Sequence, residues 1–182
     1  MNLKPQTSNL KLQTSNFKPQ TNIMSTIRVT KQFHFEMAHA LLNYDGPCKN
    51  IHGHSYQLNV TVKGKVKTPS VPARVDNTSD SDEGMVVDFG VIKKIVKDLV
   101  VDVYDHALVL NEKANIDVSQ FQSASGGLIR VPYQPTCENM LVHFASLLKN
   151  KLPKDIILHS LFLRETNTSF AEWFAEDNNQ NT

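Results

Sequence analysis

Two histidines separated by one glycine, His52 and His54, lie in the stretch CKNIHGHSY, directly before a run that reads QLNVTVKG. Alternate residues of a strand point to the same face, so both imidazoles would be presented on one side of a sheet. Two histidines are an incomplete zinc site, because a catalytic zinc takes three protein ligands and keeps a fourth position open. His39 would lie beside them if its own segment pairs antiparallel with theirs. The pattern therefore favours a metal site formed by His39, His52 and His54.

Cys48 lies four positions before His52, in the polar stretch YDGPCKN. Three interpretations fit it: a fourth zinc ligand that would close the site and make it structural, an inert small hydrophobic residue, or a reactive thiol near the metal. The stretch reads as a polar loop and not as core, and Lys49 is adjacent. We therefore favour an accessible thiol. Cys137, in the first turn of a predicted helix, is interpreted as structural.

Three further residues have side chains that could take part in catalysis or binding, but their sequence positions do not settle their roles. Asp105 and His106 come at the end of a predicted helix, where adjacent residues do not face each other. On sequence alone they are as suited to ending the helix as to forming a catalytic pair. Glu165 ends a predicted strand in LFLRET. It is equally a solvated charge or a carboxylate that accepts a ligand's paired N–H donors.

The elements that must position these side chains follow from hydrophobic periodicity. Alternation predicts strands, and apolar spacings of three and four predict helices capped by Asp88 and Thr136. The loops are expected at 67–83 and 111–135. Two strands, two helices and two strands indicate an α+β domain, a four-stranded antiparallel sheet with two helices on one face. The predicted strands are 27–37, 54–66, 156–165 and 169–174.

Composition limits the classes of function. The chain has 182 residues, enough for one domain, and a net charge of +1, which gives no reason to expect nucleic acid or a membrane surface as a partner. Only two cysteines are present, which favours a reducing, cytoplasmic setting.

Residues 1–25 contain the near-repeats LKPQTSN, LKLQTSN and FKPQTN and are expected to be disordered, with a native start at Met24. We assign the domain to 26–176 and a disordered tail to 177–182.

Six motifs in order, from Arg28 to about Trp173, resemble the family of 6-pyruvoyl- and 6-carboxy-tetrahydropterin synthases. They are FHFEMAHAL, CKNIHGHSY, GMVVDFGVIKK, YDHALVLNE, PTCEN and RET. The resemblance implies the tunnelling fold, in which trimers close a barrel and two trimers stack into a homohexamer. Ala40 departs from the pattern, since many relatives have arginine there. The two loops are longer than in compact members, and the N-terminal repeat has no counterpart.

The resemblance also implies roles for individual residues. The histidine triad would hold a catalytic Zn²⁺, and Cys48 would be the general base. Asp105 and His106 would form an acid–base pair supplied across a subunit interface. Glu165 would anchor the pterin ring, with Glu138 near it.

The implied activity is that of a lyase acting on 7,8-dihydroneopterin triphosphate. The products would be 6-carboxy-5,6,7,8-tetrahydropterin, acetaldehyde and triphosphate, in the synthesis of a precursor of queuosine or a related deazapurine. Three residues separate Cys48 from His52, the spacing of the family's 6-carboxy branch, whereas the 6-pyruvoyl branch typically has five. The alternatives are a 6-pyruvoyl-tetrahydropterin synthase and a non-catalytic ring protein stabilised by zinc.

Overall fold

The computed structural model of the chain describes residues 25–68, 82–119 and 127–178. Nearly all of the predicted N-terminal repeat, most of the C-terminal tail and the middle of both predicted loops lie outside these residues. The described part contains one six-stranded sheet and two long helical segments. Its strands are β1 (Thr26–Ala40), β2 (His52–Lys65), β3 (Ala107–Asn111), β4 (Leu128–Val131), β5 (Ile157–Arg164) and β6 (Phe170–Phe174).

The sheet is mixed, with the order β4-β3-β1-β2-β5-β6. The long β1–β2 pair is antiparallel and forms its centre. Strands β5 and β6 extend the sheet antiparallel on one side, while β3 and β4 extend it parallel to β1 on the other. Apolar side chains of β1 and β2 point to one face and are buried under the helices. The largest fully buried members of this core include Tyr56, Leu58, Ile92, Met140 and Phe144.

The prediction of four antiparallel strands is wrong in strand number and in direction on one side. Strand β3 is buried along its whole length. Its even and odd residues pack into two different apolar clusters, with Val109 in the main core and Leu108 and Leu110 in a smaller one. A parallel strand covered on both faces reads as a continuous apolar run, ALVLN, so the alternation that reveals half-buried strands is absent. Strand β4 has only four residues and pairs with β3 alone.

Two helical segments cover the core face. The first comprises α1 (Phe89–Val96), a π-helical turn (Lys97–Val101) and α2 (Asp102–Tyr104), and the second is α3 (Cys137–Lys149). Both predicted caps are present, because Asp88 accepts a hydrogen bond from the Gly90 N–H and Thr136 accepts one from the Asn139 N–H. Within the described ranges, no helix has the length and apolar character needed to cross a membrane.

Candidate functional site

Three histidine side chains converge where β1 ends and β2 begins. His39 is directly opposite His52 in the antiparallel register, and His54 is opposite Met37. One ring nitrogen from each histidine lies within 4.8 Å of the other two. His39 is buried, with 3% of its surface exposed. The three-histidine cluster could therefore bind a metal ion, as the spacing predicts.

Backbone carbonyls fix which ring nitrogens face the centre of the cluster. His39 Nδ1 lies 2.6 Å from the carbonyl oxygen of Pro135, and His52 Nδ1 lies 2.8 Å from that of Asn50. A carbonyl only accepts, so each Nδ1 carries a hydrogen, and in the neutral tautomer with that hydrogen each Nε2 carries a lone pair. These two Nε2 atoms face each other at 3.2 Å. Two facing lone pairs repel unless a cation lies between them, and this donor set fits a metal ion.

Burial keeps two of the imidazoles neutral. Desolvation lowers the pKa of His39, although the Pro135 hydrogen bond and the Glu165 charge act in the opposite direction. The pKa of His54 is lowered for the same reason, and its Nε2 is buried without a hydrogen-bond partner among the described residues. A metal competes with protons for a histidine nitrogen, so depressed pKa values favour metal binding at neutral pH.

Glu165 places a carboxylate against this cluster from the end of β5. Its Oε1 accepts a hydrogen bond from the Tyr56 hydroxyl at 3.0 Å. The same oxygen lies 3.5 Å from His39 Nε2 and 3.8 Å from His54 Nε2. Desolvation, followed by the Glu165 charge, raises the pKa of Tyr56, so the phenol keeps its proton and remains a donor. The Glu165 carboxylate is thus held by a hydrogen bond. The sequence also allowed it to be a freely solvated charge, and the structure excludes that interpretation.

Cys48 lies in a 3₁₀ turn, Pro47–Lys49, between β1 and β2, and is partly buried. Its sulfur is outside the set of ligand atoms that lie within 4.8 Å of one another, which argues against a fourth metal ligand. The Leu41 N–H donates to the Cys48 carbonyl at 2.9 Å. The loop that carries Cys48 borders the cluster, because Asn50, directly after the turn, places its carbonyl against His52 Nδ1.

A side-chain clamp joins this loop to the segment that precedes α3. The Gln134 amide donates to the Leu42 carbonyl at 2.5 Å and accepts from the Leu42 N–H at 3.1 Å. Because Pro135 follows directly and its carbonyl holds His39, the clamp ties the Cys48 loop and one histidine of the cluster to the same piece of backbone. Sequence reasoning missed Gln134, since nothing in its spacing marks a contact that depends on loop conformation.

Glu138 and Cys137 begin α3 on the side of Glu165. Glu138 is exposed in the first turn. The Cys137 thiol is buried and donates to the Leu163 carbonyl at 3.6 Å. Burial, then the negative charges of Glu165 and Glu138, raises the pKa of Cys137 to about 12. Cys137 is therefore an inert packed thiol, in agreement with the structural role predicted for it, and both carboxylates lie near it.

Asp105 and His106 form a pair within the chain despite being adjacent in sequence. The helix ends at Tyr104, Asp105 is extended and His106 has a φ of 60°. This turn brings His106 Nδ1 to 3.1 Å from Asp105 Oδ2. Hydrogen bonding from the Glu36 N–H, at 2.8 Å, is the main reason that the pKa of Asp105 is lowered. Asp105 is thus an anion that orients the His106 ring.

The Asp105–His106 pair is not part of the histidine cluster of its own chain. His106 lines a cleft of about 390 Å³ together with Glu36, Gly53, His54 and Ser55. Glu36 and Ser55 are exposed residues joined by a 2.7 Å hydrogen bond, on the sheet face opposite to that of His39. Among the described residues, no hydrogen bond or ion pair links the Asp105–His106 pair to the histidine cluster. The structure therefore brings together the histidines, Glu165 and the Cys48 loop, and leaves this pair apart.

The comparison with known families agrees with this architecture. The family model described as 6-pyruvoyl tetrahydropterin synthase matches residues 28–176. The chain therefore belongs to the 6-pyruvoyl tetrahydropterin synthase family, and its fold is the α+β tunnelling fold of that family, as the resemblance implied.

Several curated relatives share the name 6-carboxy-5,6,7,8-tetrahydropterin synthase. The chain is 33% identical over 151 residues to 6-carboxy-5,6,7,8-tetrahydropterin synthase of Haemophilus influenzae, which covers 80% of this chain and 97% of that relative. A protein of the same name from Synechocystis is 32% identical over 148 residues, covering 81% and 92%. The solved structure of Caenorhabditis elegans 6-pyruvoyl tetrahydropterin synthase superposes with a TM-score of 0.56 at 23% identity, covering 84% of this chain and 97% of that one.

We predict that the metal-free protein loses stability as the pH falls below about 6.5. The pKa values of His39 and His54 are lowered from 6.5 in the folded state, so the unfolded chain binds protons first and is favoured on acidification. Urea unfolding of EDTA-treated protein between pH 8 and pH 5.5 measures this effect. His39→Gln removes one titrating group and should make the loss shallower. A stability that is constant or rises over this range would contradict the prediction.

Proposed function

We propose that the chain is a zinc-dependent 6-carboxy-5,6,7,8-tetrahydropterin synthase that acts on 7,8-dihydroneopterin triphosphate. The observation that carries the proposal is the facing pair of Nε2 lone pairs on His39 and His52, beside a carboxylate held on Glu165. A neutral nitrogen donor set suits Zn²⁺. The curated relatives that share this name, and the three-residue spacing between Cys48 and His52, support the 6-carboxy product.

In this proposal His39, His52 and His54 hold the zinc, and Glu165 and Glu138 receive the pterin. The bound zinc supplies Lewis acidity that makes the substrate's side-chain hydroxyls and neighbouring C–H groups easier to deprotonate. Pterin presents an amino group and a ring N–H side by side, a pattern that one carboxylate accepts with both oxygens. The partial exposure of Glu165 and its hydrogen bond from Tyr56 support this assignment, and Glu138 is assigned as a second contact from the first turn of α3.

Proton transfer is assigned to Cys48 and to the Asp105–His106 pair. Cys48 takes a proton from the substrate's side chain, because its loop borders the histidine cluster at His52. His106 moves a second proton through Nε2, since its Nδ1 is held by the Asp105 carboxylate. Elimination of triphosphate and cleavage of the side chain, in which one water molecule supplies the second carboxylate oxygen, then release acetaldehyde and leave a carboxylate on the pterin. The partly buried Cys48 thiol is accessible enough for this role.

Because no hydrogen bond or ion pair among the described residues links the Asp105–His106 pair to the cluster of its own chain, we assign it to the active site of a neighbouring subunit. The edge strands of the described sheet, β4 and β6, have one unpaired side each, and pairing them between chains would close a barrel. We therefore propose a homohexamer, a dimer of trimers. Both cysteines are free thiols, which favours a reducing cytoplasmic setting, and the product suits synthesis of a deazapurine precursor such as that of queuosine.

The metal prediction concerns the histidine cluster alone. The purified protein should contain about one zinc per chain, and His52→Ala should lose metal and activity together, because two remaining imidazoles are an incomplete site. His34→Ala, which removes an exposed histidine of β1, is the matched control and should retain both. Metal content is read by atomic emission. Full zinc occupancy in His52→Ala would sink the assignment.

The product prediction separates the proposed function from its alternatives. Incubation with 7,8-dihydroneopterin triphosphate should release acetaldehyde in step with triphosphate. Mass analysis then identifies the pterin product. Cys48→Ala should abolish turnover and keep the zinc, whereas Cys137→Ala should lower stability without removing proton transfer. A pyruvoyl side chain with no acetaldehyde would make the chain a 6-pyruvoyl-tetrahydropterin synthase. No turnover at all, with zinc bound, would favour a non-catalytic ring protein.

The assembly prediction tests whether active sites are shared. Light scattering at micromolar concentration should give the mass of six chains. Cys48→Ala and His106→Ala subunits, each inactive alone, should regain part of the activity when they are co-expressed, because some sites then combine an intact thiol from one chain with an intact imidazole from another. A monomer in solution, or inactive mixed oligomers, would count against the role of His106 at a neighbour's site.

A further inference from the structure

The phenol of Tyr56 is a buried polar group at the edge of the histidine cluster. The side chain is fully buried. Its ring stacks on Phe35 with centroids 5.3 Å apart and 11° between the planes. The His54 ring meets it edge-on at 5.6 Å and the His39 ring at 6.3 Å. Because other rings pack against it from several directions, the hydroxyl has a fixed direction.

That direction is toward Glu165. The hydroxyl donates to Glu165 Oε1 at 3.0 Å, and among the described residues this is the only hydrogen bond that the carboxylate receives. Glu165 is 24% exposed and belongs to no strand, since β5 ends at Arg164. Without the phenol, the carboxylate would be free to turn about its side-chain bonds. Tyr56 is therefore the contact that defines the orientation of Glu165.

The orientation matters because the carboxylate has two competing uses. Its Oε1 lies within 4 Å of ring nitrogens of both His39 and His54, so a small rotation would offer it to a metal held by the cluster. A carboxylate ligand would close the fourth position that a catalytic zinc keeps open. A hydrogen bond to Oε1 restrains that oxygen and leaves Oε2 available to a second donor.

We propose that Tyr56 is a positioning residue, whose hydroxyl holds Glu165 in the orientation that receives the pterin ring and keeps its carboxylate from ligating the metal. This inference rests on the proposed function, because it takes Glu165 to be the pterin anchor. It adds Tyr56 to that function as a residue that acts only through the Glu165 side chain. Removing the Tyr56 hydroxyl should therefore weaken pterin binding only while Glu165 is present.

Tyr56→Phe tests the proposal by removing one oxygen and keeping the packed ring. The dissociation constant for 7,8-dihydroneopterin, measured by calorimetry on the zinc-loaded protein, should rise about tenfold, the size expected for losing a hydrogen bond to a charged group. Zinc content should stay at about one per chain. Tyr133→Phe is the matched control, because it removes another buried phenol oxygen, one whose ring contacts His143 and not the cluster. It should bind the pterin as the unmodified protein does.

A double-mutant cycle with Glu165→Gln tests whether Tyr56 acts through the carboxylate. In the Glu165→Gln background, Tyr56→Phe should weaken binding by less than about twofold, since the partner of the hydroxyl is already altered. Two results would overturn the inference while the proposed function stands. One is a double variant whose fold-loss of pterin affinity equals the product of the two single losses, and the other is an unchanged affinity in Tyr56→Phe alone. If the unmodified protein binds no pterin, the proposed function fails and this role fails with it.

Discussion

The antiparallel register of β1 and β2 is the constraint on which the site depends. It runs through 14 residue pairs, from Thr26 opposite Lys65 to His39 opposite His52. Alternating apolar residues fix it, because a slip of one position would move every buried side chain of a strand to the solvent face. The same parity that buries Phe35 and Tyr56 therefore places His39, His52 and His54 on the helix-covered face. The same register therefore both packs the core and assembles the histidine cluster.

The register brings the histidines together, but other backbone orients them. The Pro135 carbonyl, which precedes α3, and the Asn50 carbonyl, in the loop before β2, accept from the two Nδ1 atoms and turn both Nε2 atoms inward. The Gln134 clamp on Leu42 then joins these two regions. The histidines of one strand pair are thus oriented by two loops that are fastened to each other. If the cluster holds a metal, the groups that orient its ligands are as firmly fixed as the ligands themselves.

The sequence revealed the parts of this structure that repeat with a period. Alternation located β1 and β2, the three-and-four spacing located both helical segments, and strand parity indicated His39 as the third member of the cluster. The parity rule could also have indicated Tyr56, two positions after His54 and on the same face. Strand β3 was missed because a strand buried on both sides has no alternation. The Gln134 clamp and the Pro135 carbonyl depend on loop geometry, which no short pattern encodes.

The pairing of Asp105 with His106 shows how chain geometry can override a rule derived from helices. Adjacent residues diverge on a helix, yet here the helix has already ended, and the left-handed φ of His106 folds its ring back onto the neighbouring carboxylate. Such a backbone conformation is unfavourable for a residue with a Cβ, so other contacts must maintain it. Glu36 does so from β1, because its N–H donates to Asp105 and its carbonyl accepts from the His106 N–H at 2.5 Å. The strand that presents His39 on one face therefore also holds the Asp105–His106 pair, so this pair and the histidine cluster lie in fixed relation within one chain. In the proposed homohexamer, that fixed relation would let each chain complete the site of a neighbour.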